Sequence, residues 1–342
     1  MKIILSDTIG FDLLFIVIVA IVLIKSRYPK FNQDYLSIDN TSIIKGISVL
    51  LVIFCHISMF SFYYGRIESF FAKIGLLAVS IFIFVSGYGL MTQYLRKNNY
   101  LKGFWKKIVH VYIIFIICNT VTTIINNLFL KTNYGIKDII VSSFQFNFAN
   151  GRELWFVACI LFLYFSFMIS YRLFAKKGIF SLFGFTILYI VLCNIMGKGS
   201  WWYNTVFCFP LGVIFAIYKE KIFLFYKKFY WFKFIVLLFM FLTVMYFYIQ
   251  GYHYLQFIIP IIFVILTTMV LVKVKLESKF LLFINKISLE MYLLHLIVLQ
   301  VAFANLIPRS SLYLVMLFPI MIVISIVIKH TSNYICKLFK LT

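Results

Sequence analysis

The sequence predicts an all-α, polytopic integral membrane fold, and three observations carry the prediction. Of the 342 residues, 64% are hydrophobic and only 12% charged, with 42 phenylalanines. That leaves too little polar surface for a soluble domain of this size. Apolar runs of membrane-crossing length recur along the chain, separated by short links. The basic residues alternate from link to link, as they do between the two sides of a membrane.

The runs lie near residues 8–25, 42–62, 74–92, 108–129, 154–174, 179–196, 201–218, 232–250, 255–272, 287–307 and 312–329, so eleven spans are expected. The first run follows one lysine and has no small-residue cleavage site after it, so it reads as a retained span and not a removed signal peptide. Of the 32 lysines and arginines, 23 fall on odd-numbered links and the C-terminal tail, eight on the opposite side, and Lys45 inside a span. Cation-rich loops mark the cytoplasm. The N-terminus is therefore expected outside and the C-terminus in the cytoplasm.

The formal charge of +22 follows from those loops, and no basic soluble domain exists to bind nucleic acid. The six cysteines lie in or beside apolar runs without a CxxC pair, which implies no disulfide framework. No metal site is expected.

Lys45 and His56 share the second span. Eleven helical positions turn through about 1100°, so both side chains face one way about 16 Å apart. Ionisable groups inside a membrane are costly and point to a site. Lys45, at the inner surface, suits an anion such as the phosphates of a cytosolic cofactor, or it snorkels to the interface. His56, deeper, suits a general base or an interhelical hydrogen bond.

The third span ends in Ser86-Gly87-Tyr88-Gly89, where missing bulk either opens room for a ligand or allows close helix packing. Lys106 and Lys107 follow at the same face, with His110 beyond, and carry enough charge to hold phosphates. In the tenth span Ser288, Tyr292 and His295 share a face at spacings of four and three, and Glu290 points elsewhere. Counted from the inner surface, His295 lies about 12 Å deep and His56 about 20 Å, so the two histidines are expected to act separately. Two acids lie towards the outside. Asp12 sits at roughly the depth of His56 and would orient its ring, and Glu153 opens the fifth span as a reactive acid or an interfacial ion.

Lys45-x10-His56, Ser86-Gly87-Tyr88-Gly89, Leu154-Trp155-Phe156-Val157 and Ser288-x3-Tyr292-Leu293-Leu294-His295 occur in this order. With Cys208-Phe209-Pro210-Leu211-Gly212-Val213-Ile214-Phe215, they resemble the acyltransferase 3 family of membrane acyltransferases over about residues 40–330. The resemblance implies a ten-helix acyltransferase core in residues 42–342, with residues 1–41 an added N-terminal helix and link. It implies a cytosolic acyl-CoA donor, acetyl-CoA above all, and transfer to a hydroxyl, often on a cell-surface glycan. By position, His56 would be the catalytic histidine and Lys45 its paired charge. That residue is more often arginine in the family, and lysine offers a point charge in place of a planar fork.

Together these readings make His56, Glu153 and His295 the catalytic candidates. Lys45, Ser86, Gly87, Lys106, Lys107 and Tyr292 are the candidates for holding acyl-CoA. The expected partners are acyl-CoA, a glycan or lipid-linked sugar acceptor and the bilayer, with no nucleic acid, and a homodimer is compatible. The rival reading is a transporter or translocase of a lipid-linked glycan. It calls for broken helices repeated in corresponding halves of the chain, and no such repeat is evident.

Overall fold

The computed structural model describes residues 9–24, 26–60, 74–149, 154–305 and 312–341. Among these the secondary structure is helical, with one isolated bridge between Arg27 and Lys275. The first helices are α1 (Ile9–Leu23), α2 (Ile38–Phe60), α3 (Gly75–Arg96) and α4 (Trp105–Phe129). A short α5 (Ile136–Phe144) precedes the hairpin of α6 (Trp155–Phe174) and α7 (Gly178–Ile195). Then come α8 (Cys208–Ile217), α9 (Lys219–Lys227), α10 (Tyr230–Ile249) and α11 (Ile258–Lys273). The chain closes with α12 (Lys279–Lys286), α13 (Ser288–Asn305) and α14 (Leu312–Leu338).

Seven apolar helical stretches among the described residues are long enough to cross a membrane, or eight if the bent pair α12–α13 counts as one. The polytopic membrane class therefore holds, while the helices differ from the expected eleven spans in two informative places. The run at 201–218 is helical only over Cys208–Ile217, about 15 Å of rise and half of a hydrocarbon core. The residues before it form a 3₁₀ turn at Ser200–Trp202 and further turns. The run at 287–307 does not start at a surface, because α12 and α13 meet at a 76° bend. Ile287, Ser288 and Glu290 are all buried there.

Missing side chains set the closest packing. A Cβ added at Gly87 would collide with the Phe209 carbonyl oxygen, and one at Gly212 with the Phe84 carbonyl oxygen. The α3–α8 seam is thus backbone against backbone, the small-residue packing that membrane helices use in place of a hydrophobic drive. Gly46 likewise brings α2 onto the backbone at Leu281 of α12. These contacts join α3 to α8 and α2 to α12, and α2 also packs on α3 and α13, around a core that includes Phe54, Phe84, Phe115, Phe167 and Phe209. Outside that core, Asn119 of α4 donates to Ser142 and Ser143 of α5 at 2.9 Å each, and its side-chain oxygen accepts from the Ala149 amide.

Candidate functional site

His56 sits on the fifth turn of α2, half-buried, with Val52 one turn below it. Its Nδ1 lies 2.9 Å from the Val52 carbonyl oxygen and 3.2 Å from Nε2 of His295 on α13. The ring centroids are 4.8 Å apart. A carbonyl can only accept, so in the neutral ring the proton of His56 sits on Nδ1 and the basic lone pair on Nε2. The same argument applies to His295, whose Nδ1 donates to the Tyr292 carbonyl and whose Nε2 is left to accept from His56. The result is a directed pair, with a base on α2 oriented by a buried imidazole on α13.

This contact corrects the expectation that the histidines act separately. The depth count placed the start of the tenth span at the membrane surface. The bend at Ile287 puts that start inside the bundle, so about two turns of α13 bring His295 to His56.

His56 and Tyr292 line a cavity of about 610 Å³ with Trp155, Trp201, Asn204 and Tyr248. Behind it a chain of aromatic rings runs back along α2. Tyr292 lies 4.6 Å from Phe156, Phe156 lies 6.0 Å from Phe82, and the Lys45 ammonium is 5.9 Å above Phe82. Lys45 therefore connects to His56 through rings and not through a polar track. Its ammonium also feels the charges of Lys329, Lys107 and Glu290.

A second, basic cleft of about 610 Å³ lies beyond the Lys45 end, lined by Lys97, Lys102, Lys106, Lys107 and His110. Lys107 donates to the Tyr100 hydroxyl at 3.0 Å, and burial pushes that phenol above its ordinary pKa, so the hydroxyl keeps its proton. The cleft brings Lys106 and Lys107 together as expected and adds Lys97 and Lys102 to them.

The remaining candidates divide. Tyr292 stands in the His56 cavity, at the far end of the ring chain from Lys45. Gly87 lies in the α3–α8 seam facing the Phe209 backbone, so of the two readings of the glycine motif, packing is the one realised at that position. Ser86, one residue earlier on α3, is partly buried. Glu290 points away from the histidines, as expected, and pairs with Lys329 of α14 at 3.1 Å. Asp12 is on α1, which packs on α14, and the His56 ring is oriented by Val52 and His295. Glu153 lies outside the described residues. Among those described, no group of three or more His, Cys, Asp or Glu side chains is arranged to hold a metal.

The sequence reading did not single out Trp201, Asn204 and Thr205, because a continuous helical span from residue 201 gives no reason for them to share a cavity with His56. The signal was present in Lys198-Gly199-Ser200-Trp201-Trp202-Tyr203-Asn204-Thr205, a polar and glycine-bearing run that breaks an apolar segment.

A family model described as an acyltransferase domain matches residues 36–330. No curated protein and no solved structure matches the chain.

Proposed function

The chain belongs to the acyltransferase 3 family of membrane acyltransferases, and on that premise we propose that it is an O-acetyltransferase acting on a cell-envelope, capsular or exopolysaccharide glycan. The donor is acetyl-CoA or another acyl-CoA from the cytoplasm. The observation that carries the reading is the 3.2 Å contact between His56 and His295 at the wall of a cavity.

The two ends of α2 divide the substrates. The Lys97, Lys102, Lys106 and Lys107 cleft receives the CoA phosphates as charge-assisted contacts. Lys45 adds a cation between this cleft and the ring chain. The thioester arm runs along Phe82, Phe156 and Tyr292 towards His56, a distance of about 16 Å that helical rise sets between Lys45 and His56. The cavity on the other side of His56 receives the acceptor. The cation-rich links support a CoA cleft on the cytoplasmic side and an acceptor cavity towards the outside.

His56 Nε2 takes the proton of the acceptor hydroxyl while its oxygen attacks the thioester carbonyl. The C–S bond breaks, the ester forms, and the proton passes from His56 to the CoA thiolate. His295 accepts the Nδ1 hydrogen bond that becomes stronger as His56 turns cationic, the role of the orienting third group in nucleophile–base systems. Protein in liposomes supplied with radiolabelled acetyl-CoA and envelope glycan should transfer label to the glycan. His56→Ala, inserted normally, should not. Undiminished labelling by His56→Ala would sink the proposal, and glycan flux without any acyl-CoA requirement would favour the translocase.

A further inference from the structure

The cavity that His56 faces has two chemically distinct walls, and one of them has no part in the reaction steps above. Val52, Cys55 and Met59 of α2 and Gly75, Leu76 and Val79 at the start of α3 form an apolar side. The lining also includes the aromatic rings of Trp155, Trp201 and Tyr248 and the polar side chains of Asn204 and Thr205. The cavity lies at the end of α3 remote from Arg96 and at the end of α2 remote from Lys45, so it opens away from the basic cleft.

Within the tryptophan doublet the neighbours behave oppositely. Trp202 is buried beneath the Lys198 ammonium, 4.7 Å from its ring centre, and anchors the turn. Trp201 stays 54% exposed although it lines the cavity. Its ring lies back over Gly199, where an added Cβ would collide with the Cη2, Cζ3 and Cζ2 carbons. Gly199 has an ordinary extended backbone, φ −63°, so its lack of a side chain serves that ring and not a special turn. Beside it Thr205 is 1% exposed, and its hydroxyl has no hydrogen-bond partner among the described residues. A buried hydroxyl without a partner costs free energy that a bound hydrogen-bonding group would recover.

An exposed aromatic face beside an amide and a buried, unspent hydroxyl matches a sugar ring, which is apolar on its C–H face and polar at its rim. The described walls carry no lysine, arginine, aspartate or glutamate. We propose that Trp201, Trp155, Asn204 and Thr205 form the acceptor subsite, and that it takes an uncharged pyranose unit. One face of the ring stacks on Trp201, an edge group bonds Asn204 and Thr205, and a further hydroxyl reaches His56. The assignment of this subsite as an acceptor site rests on the acyl-transfer reading.

The test has a binding arm and a turnover arm. Tryptophan fluorescence of the detergent-purified protein is titrated with neutral cello-, malto- and chito-oligosaccharides and with a uronic-acid oligomer. At least one neutral oligomer should quench saturably, and the uronic-acid oligomer should not. Trp201→Ala should abolish the quenching. Gly199→Ala, which folds but displaces the ring, should weaken it at least fivefold. In the turnover arm, Trp201→Ala should raise the acceptor KM at least tenfold and leave the acyl-CoA KM within twofold. No saturable quenching by any neutral oligomer, or an unchanged acceptor KM in both variants, overturns the subsite. Quenching lost in Trp201→Ala, with no acyl transfer by the wild-type protein, leaves the sugar site standing and rejects the acyltransferase reading.

Discussion

The two ends of α2 are built from opposite chemistry. At the Lys45 end, lysines from the α3–α4 link and the first turn of α4 crowd a cleft in which one ammonium already donates to a phenol. At the His56 end the described cavity walls carry aromatic rings, an amide and a hydroxyl, with imidazole as the titratable base beside tyrosine and cysteine. A single helix joins them, and the ring chain from Phe82 to Tyr292 covers the interval. On the acyl-transfer proposal, this contrast would sort donor from acceptor by electrostatics before they meet. A polyanionic donor gains from the first end and nothing from the second. A neutral ring gains from the second and nothing from the first.

Removing the base should have the largest effect, since it abolishes the step the two ends share. His56→Ala should lower kcat by about 10²- to 10⁴-fold, the range general-base catalysis supplies, with acyl-CoA binding retained in a filter assay. His295→Ala should cost less, on the order of 10- to 100-fold as for other orienting partners of a histidine. His295→Gln, which keeps an acceptor towards His56, should recover part of that loss, and equal kcat values for the two variants would break the directed pair. Because the base acts as the neutral imidazole, kcat/KM should fall on acidification. A rate that rises towards low pH would instead assign His56 an acid's role.

Gly87 separates packing from ligand binding. Gly87→Ala should lower stability by about 1–3 kcal/mol through overpacking of the seam, read as a lower thermal midpoint, with the acyl-CoA KM unchanged. A raised acyl-CoA KM at an unchanged midpoint would restore Gly87 to the donor site. The smallest effects belong to the basic cleft. Lys106→Ala and Lys107→Ala should each raise the acyl-CoA KM about three- to tenfold, more at low salt, because salt screens cations in an open cleft. The acceptor KM should stay constant in both, and a matching rise there would erase the division between the two ends.

Much of this was legible residue by residue. The eleven-position spacing puts Lys45 and His56 on one face of any straight helix, and the Lys106–Lys107 doublet announced a basic cleft that the fold completes with Lys97 and Lys102. Illegible were the features that depend on where a helix begins in space. Counting depth from Ile287 kept His295 apart from His56, and a 76° bend between α12 and α13 removed that separation. The glycine motif was ambiguous for a related reason. Only the position of α8 shows that Gly87 meets the Phe209 carbonyl rather than a ligand.

The sequence by itself determined the membrane class, the helical periods and the chemical identity of the two ends, because hydrophobicity and charge are local properties that add along the chain. The tertiary structure alone decided which imidazole meets His56, what Gly87 touches, and that Trp201 lines the same cavity as His56. Those outcomes depend on bends and close backbone contacts, which couple residues far apart in sequence and leave no periodic trace in it.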